Sequence, residues 1–243
     1  MFVKSLSKVA VLLCLSSFTT TLYAGIVITG TRVIYPAEQK TVTVQVKNDG
    51  AYPALMQTWI DDGDANLAPD EINVPFVITP PISRLDASVG QTINISMIED
   101  KLPKDRESIF WLNVLDIPAR PQDNDSRKLS NNMLQIAVRS RIKMFYRPTG
   151  LKDQAKDAAK LLQWTQNNQN ISVKNPSPYY ISVSSLLIPQ PGAEDKMVLK
   201  EGIMLAPFES KNVEIKEAPF KSFTVQSIND YGGLDRIEVS LNQ

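Results

Sequence analysis

From Gly25 onward, hydrophobic and polar residues alternate in short runs separated by turn clusters, and no long helical period intervenes. Alternation at every second position puts successive side chains on opposite faces, the mark of a strand with one buried side. The pattern predicts strands over residues 26–35, 41–47, 54–60, 76–78, 92–97, 109–115 and 133–146. They are punctuated by Asn48-Asp49-Gly50, Asp61-Asp62-Gly63 and Pro80-Pro81. Seven strands in about 120 residues is the content of an immunoglobulin-like sandwich. Pro148-Thr149-Gly150 then breaks the chain, because proline cannot donate to a ladder and glycine permits a turn. Residues 151–162 carry a brief helical pattern through Ala155, Ala158, Ala159, Leu161 and Leu162. Six further β-rich runs follow at 162–165, 171–174, 179–187, 213–215, 223–228 and 237–241. The expected organisation is all-β: a domain at 25–148, a linker at 149–150 and a smaller sandwich or barrel at 151–243, with a cleft between them. The polar stretch 120–132 reads as a loop feeding the long strand.

That long strand is the most informative part of the chain. Leu134, Ile136, Val138, Ile142, Met144 and Tyr146 share one parity, whereas Gln135, Arg139, Arg141, Lys143 and Arg147 share the other. It therefore has an apolar face and a basic face, and it is about twice the usual strand length. A strand with an apolar comb and a nearby cation can pair with another chain through its backbone and the pockets its side chains fill.

Composition narrows the remaining possibilities. Lys4 and Lys8 precede an apolar run at 9–15 and a small or polar run at 16–21, which reads as a secretory signal removed after Ala24. The run is too short to span a bilayer, and no later segment reaches 18 uninterrupted apolar residues. The single cysteine, Cys14, leaves with the signal, so apolar cores alone must hold the exported chain. There is no histidine, and 26 basic residues face 26 acidic ones. Loss of Lys4 and Lys8 leaves a slight acidic excess, which favours neither nucleic acid nor an anionic membrane. Without histidine or a mature cysteine, the usual zinc, copper and haem ligands and the familiar catalytic triads are excluded. No GxxxxGK loop is present for ATP. The expectation is a protein that is not an enzyme and carries no cofactor and no metal.

Six motifs occur in order: TRVIYP at 31–36, TPPISRL at 79–85, LPKDRESIFWLNVLDIP at 102–118, QIAVRSRIKMFYRP at 135–148, NPSPYY at 175–180 and INDYGG at 228–233. With them, the chain resembles the periplasmic pilus chaperones of the PapD and FimC type over essentially its whole mature length. The resemblance implies two immunoglobulin-like domains in a boomerang around an interdomain cleft. It implies a Gram-negative periplasmic location and an ATP-independent chaperone that captures pilin subunits and delivers them to an outer-membrane usher. Such subunits are sandwiches lacking one strand, and the chaperone lends its own strand to close the gap.

Carried onto this sequence, the resemblance makes Leu134, Ile136 and Val138 the groove-filling residues. Burying three such side chains contributes roughly 4 to 9 kcal/mol gross, much of it offset by association entropy. Arg32 and Lys143 match the family's anchor for the subunit's C-terminal carboxylate, a group that accepts several charged hydrogen bonds and so fixes register. Glu107, Arg147 and Asp230 match its interdomain salt-bridge network. Strict alternation nevertheless puts Lys143 on the face opposite the comb. Both serve one partner only if the strand twists or bulges between Val138 and Lys143, or if the partner wraps the strand edge. Trp59, Trp111 and Trp164 are expected as packing residues. An exposed strand also offers an edge for self-association of the free chain. The alternative is a secreted fibre subunit or adhesion module; the missing disulfide and the EVSLNQ terminus argue against it.

Overall fold

The computed structural model describes residues 25–119, 134–167, 170–190, 192–199, 201–215 and 220–241. The expected signal at 1–24, the loop at 120–132 and Met133 lie outside them. The described residues form two β-sandwiches, each around its own apolar core.

In the first sandwich one sheet contains β1 (Ile26–Ile28), β3 (Thr41–Asn48), β7 (Gly90–Met97) and β5 (Phe76–Thr79), in that spatial order. The facing sheet runs β2 (Arg32–Pro36), β9 (Val138–Arg147), β8 (Ser108–Pro118), β4 (Ala54–Asp61) and β6 (Ile82–Leu85). Alternate residues from both sheets, among them Tyr35, Met56, Ile93, Ile95, Leu112, Met144 and Tyr146, are fully buried between them.

The single strand expected over 26–35 is two strands. β1 pairs with β3 and β2 pairs with β9, so the chain crosses from one sheet to the other between them. Gly30 sits in the crossover at φ +107, a conformation that side-chain-bearing residues rarely adopt. The strand β6 escaped the pattern because four residues after Pro81 are too few to establish a period.

A 3-10 helix, Thr149–Leu161, joins the sandwiches, and the two residues expected as linker open it. The second sandwich pairs β10 (Gln163–Asn167), β11 (Asn170–Lys174) and β15 (Ser210–Glu214) in one sheet. The other contains β13 (Lys196–Met197), β12 (Ile181–Ile188), β16 (Ser222–Ile228) and β17 (Leu234–Ser240), and β14 (Ile203–Leu205) also pairs with β12. Ala158 and Leu162 close its core from the helix side. Trp164 packs edge-on against Phe223, 5.3 Å between centroids. Trp59 and Trp111 are half-buried on the outer face of the first domain.

Candidate functional site

β9 begins at Val138, five residues later than expected. Its first partner on β8 is Asp116, opposite Val138, and β8 ends two residues further on at Pro118. Leu134 to Ala137 lie outside any strand. Leu134, Ile136 and Val138 are 84, 63 and 54 % exposed. Three large apolar side chains in alternation on water are a binding feature rather than a core feature.

The β8–β9 ladder runs without a register shift from Asp116 opposite Val138 to Ser108 opposite Tyr146. No bulge turns Lys143 toward the comb, so the parity difference is real. Val138, Ile142, Met144 and Tyr146 continue one face, the last two at the centre of the core. Arg139, Arg141, Lys143, Phe145 and Arg147 continue the other. The four last residues of β9 are all buried. Met144 and Tyr146 are covered by their own sandwich, whereas Phe145 and Arg147 are covered by the second domain.

The free edge of β9 has a defined end. β2 lies parallel to β9 and begins with Arg32 opposite Lys143. From Lys143 onward both edges are occupied; before it, only β8 is present. Arg32 and Lys143 thus stand side by side on the cleft face where the open edge stops. Arg32 Nη1 donates to the Ile228 carbonyl of the second domain at 3.0 Å, and its guanidinium lies 5.7 Å from the Phe145 ring centroid. Arg32 Nε is buried without a hydrogen-bond partner. Among the described residues Lys143 makes no hydrogen bond and no ion pair. Burial, with the neighbouring Arg32, pushes the Lys143 ammonium below the ordinary lysine range. Burial lowers Arg32 as well, against the pull of Asp230 and Glu107. Two adjacent half-buried cations, with the Lys143 ammonium free of partners among the described residues, have the chemistry to receive an oxyanion.

Arg147 joins the domains. Its Nε donates to Glu107 Oε1 at 2.7 Å, and Nη1 and Nη2 donate to the two Asp230 oxygens at 2.7 and 3.0 Å. Glu107 Oε2 accepts the Tyr180 amide at 2.8 Å, and the Glu107 amide donates to the Pro178 carbonyl at 2.9 Å. Burial raises the Glu107 carboxyl above the usual carboxylate range, with Arg147 opposing that shift. Although burial disfavours its charge, the Asp230 and Glu107 contacts hold the Arg147 guanidinium above its ordinary value. At the same junction, the Gly232 backbone packs on the Thr31 side chain so closely that a Cβ there would collide with it. A cleft of about 470 Å³ opens beside the network, with Arg32, Phe145, Tyr180, Ile228 and Tyr231 among its walls.

Sequence reasoning missed the contacts of Arg32 and Thr31 with the second domain, for which no sequence signal exists. It also missed a cluster on the outer face around Asp61. The signal there was the basic parity of β9, which demands a counter-charge on its neighbouring strands. Among the described residues no group of three or more histidine, cysteine or carboxylate side chains could hold a metal. None of the described helices is long and apolar enough to cross a membrane.

Two sandwich domains over a basic cleft, beside an open strand edge with an exposed apolar comb, define an all-β, two-domain protein. Residues 25–152 match the "Pili and flagellar-assembly chaperone, PapD N-terminal domain" family, and residues 157–239 match "Pili assembly chaperone PapD, C-terminal domain". The chain belongs to the PapD family of pilus-assembly chaperones. It is 42 % identical over 227 residues to the probable fimbrial chaperone YadV of Escherichia coli K12, covering 89 % of this chain and 90 % of that one. The CupB2 chaperone of Pseudomonas aeruginosa superposes with a TM-score of 0.75 at 36 % identity, over 89 % of this chain and all of the other. The Salmonella enterica SafB chaperone, in a complex with SafA pilin, gives a TM-score of 0.73 at 25 % identity, over 92 and 99 % of the two chains. Family membership favours a chaperone, a non-enzymatic role, over the fibre-subunit alternative.

Proposed function

We propose that this protein is an ATP-independent periplasmic chaperone that captures pilin subunits by donor-strand complementation and hands them to an outer-membrane usher. In this reading residues 1–24 are a cleaved export signal, the chain divides into domains at 25–148 and 151–243, and its exposed edge also allows self-association. The carrying observation is the open edge of β9, whose apolar comb leads up to the Arg32–Lys143 pair.

A guest strand lying along that edge meets the start of β2 at Arg32 and can go no further in the plane of the sheet. A carboxyl terminus at that point lies within reach of both cations. The guest strand must then run parallel to β9, with its last residue at Lys143. This arrangement answers the parity difference without a bulge. Leu134, Ile136 and Val138 project from the core face into the guest's missing-strand groove, and the terminus leaves the sheet plane toward the cleft face. Ladder hydrogen bonds provide affinity and the side chains provide specificity. The Glu107–Arg147–Asp230 network holds the second domain in place behind the anchor.

The test is capture by Lys143→Ala and Arg32→Ala. Both variants are expected to be exported and folded, and to lose the pilin that co-purifies with the wild-type chain from periplasm. Wild-type yields of pilin with either variant would remove the anchor from the account.

A further inference from the structure

β9 is held unequally along its length. Residues 143–146 have β2 on one edge and β8 on the other, but residues 138–142 have β8 alone. A half-paired strand preceded by residues in no ladder frays, and a frayed strand is a poor template because each guest must first order it. What holds this half is on its outer face.

Arg139 and Arg141 converge there on Asp61, the last residue of β4, whose side chain is fully buried. The Asp61 carboxylate accepts Arg141 Nε at 3.0 Å and also Arg141 Nη2, together with Asn113 Nδ2 at 2.7 Å and the Gly63 amide at 2.8 Å. Arg139 Nη2 approaches it at 3.4 Å. Arg139 extends further, with Nε to Asn113 Oδ1 at 2.8 Å and Nη1 to the Ala65 carbonyl at 2.6 Å, and Arg141 Nη2 donates to the Gly63 carbonyl at 3.0 Å. The guanidinium carbons lie 4.9 Å from the Trp59 ring centroid and 4.6 Å from that of Trp111. Gly63, at φ +127, lets the turn close over Trp111, where a Cβ would sit 3.1 Å from the ring. One buried anion therefore ties β4, β8 and the turn at 61–65 to the half of β9 that β2 does not reach.

Buried ion pairs of this kind are weak sources of stability and are better accounted for as fixing one arrangement. We propose that Asp61 is a positioning residue for subunit capture. Through Arg139 and Arg141 it keeps residues 138–142 extended against β8, so that the free edge is ready for a guest strand. The inference rests on the reading of residues 134–142 as the capturing edge.

Hydrogen exchange on the full chain, read together with pilin co-purification, tests it. Asp61→Asn should raise the amide exchange of residues 138–142 by about tenfold, the scale set by losing one charged hydrogen bond. Residues 144–147 and the core of the second domain should be unaffected, and capture of the wild-type chain's pilin should fall by a similar factor. Arg139→Lys keeps a charge near Asp61 but loses the planar fork that reaches Asp61, Asn113 and Ala65 together, so it should lie between Asp61→Asn and wild type. Unchanged exchange at 138–142, exchange raised equally throughout the first domain, or raised exchange with wild-type capture would each overturn the proposal. A wild-type chain that binds no pilin would instead remove the capturing function, while the exchange comparison would still decide whether Asp61 orders the edge.

Discussion

Lys143 and Arg32 are costly where they stand. Each is partly removed from water, each faces a like charge, and Arg32 leaves a buried Nε without an acceptor. A carboxylate bound between them would offset the like-charge repulsion and the cost of burial, which is why loss of either cation should be felt in capture rather than in folding. Charged hydrogen bonds contribute about 1.5 to 3 kcal/mol each, so removing one cation should weaken capture by roughly tenfold to a hundredfold. The sign of the pH dependence follows from the lowered Lys143 pKa. The ammonium loses its proton as pH rises, earlier than an ordinary lysine at about 10.4. Binding titrations should therefore show affinity falling on the alkaline side, and Lys143→Ala should flatten that fall. Asp61 works in the opposite direction. Despite burial, its hydrogen bonds from Arg141, Asn113 and the Gly63 amide hold it below the usual carboxylate range. Its contribution to stability is thus present above the unfolded value of about 3.9 and is lost as pH falls below it. Acid denaturation of Asp61→Asn should show a shallower loss in that region than wild type.

The strand β9 carries three jobs in ten residues, and its alternation is what separates them. Met144 and Tyr146 build the core, Arg139 and Arg141 reach Asp61, and Phe145 and Arg147 face the second domain. Much of this is legible in the sequence, because a two-residue period survives whichever neighbours a strand acquires. The start of the strand is not legible, because Leu134 to Ala137 carry the alternation of a strand yet lie in no ladder. The short strands β13 and β14 are equally hidden, with two and three residues apiece. Exposure makes the two ends of β9 respond differently to mutation. Ile136→Asp places a charge on an already exposed side chain, so thermal stability should be unchanged while capture is lost by burying that charge in the guest's groove. Met144→Ala, in contrast, should cost about 2 to 5 kcal/mol of stability in a denaturant melt.

The relation between the domains depends on residues far apart in the chain. Arg147 closes β9, Glu107 precedes β8 and Asp230 lies in the turn after β16, yet one guanidinium bridges both carboxylates. The end of β16 supplies the Ile228 carbonyl to Arg32, and the turn after it seats Gly232 on Thr31. The second domain therefore holds Arg32 as well as lining the cleft. Sequence alone names Glu107, Arg147 and Asp230 only through family resemblance, because a pairing between domains has no periodicity to betray it. Arg147→Ala leaves Glu107 buried without its partner, and such a loss typically costs about 3 to 5 kcal/mol. Calorimetry of that variant should show the domains unfolding in separate transitions, with capture reduced because Arg32 is no longer held. A single transition at the wild-type temperature would show that the network does not couple the domains.

The central question is whether the free edge of β9 takes in a pilin strand. Its most direct measurement is mass spectrometry of what co-purifies from periplasm with the wild-type chain and with Ile136→Asp at matched thermal stability. The expected result is a pilin subunit in equal proportion with the wild-type chain and none with the variant. A wild-type chain recovered without pilin, or equal pilin with both chains, would contradict it.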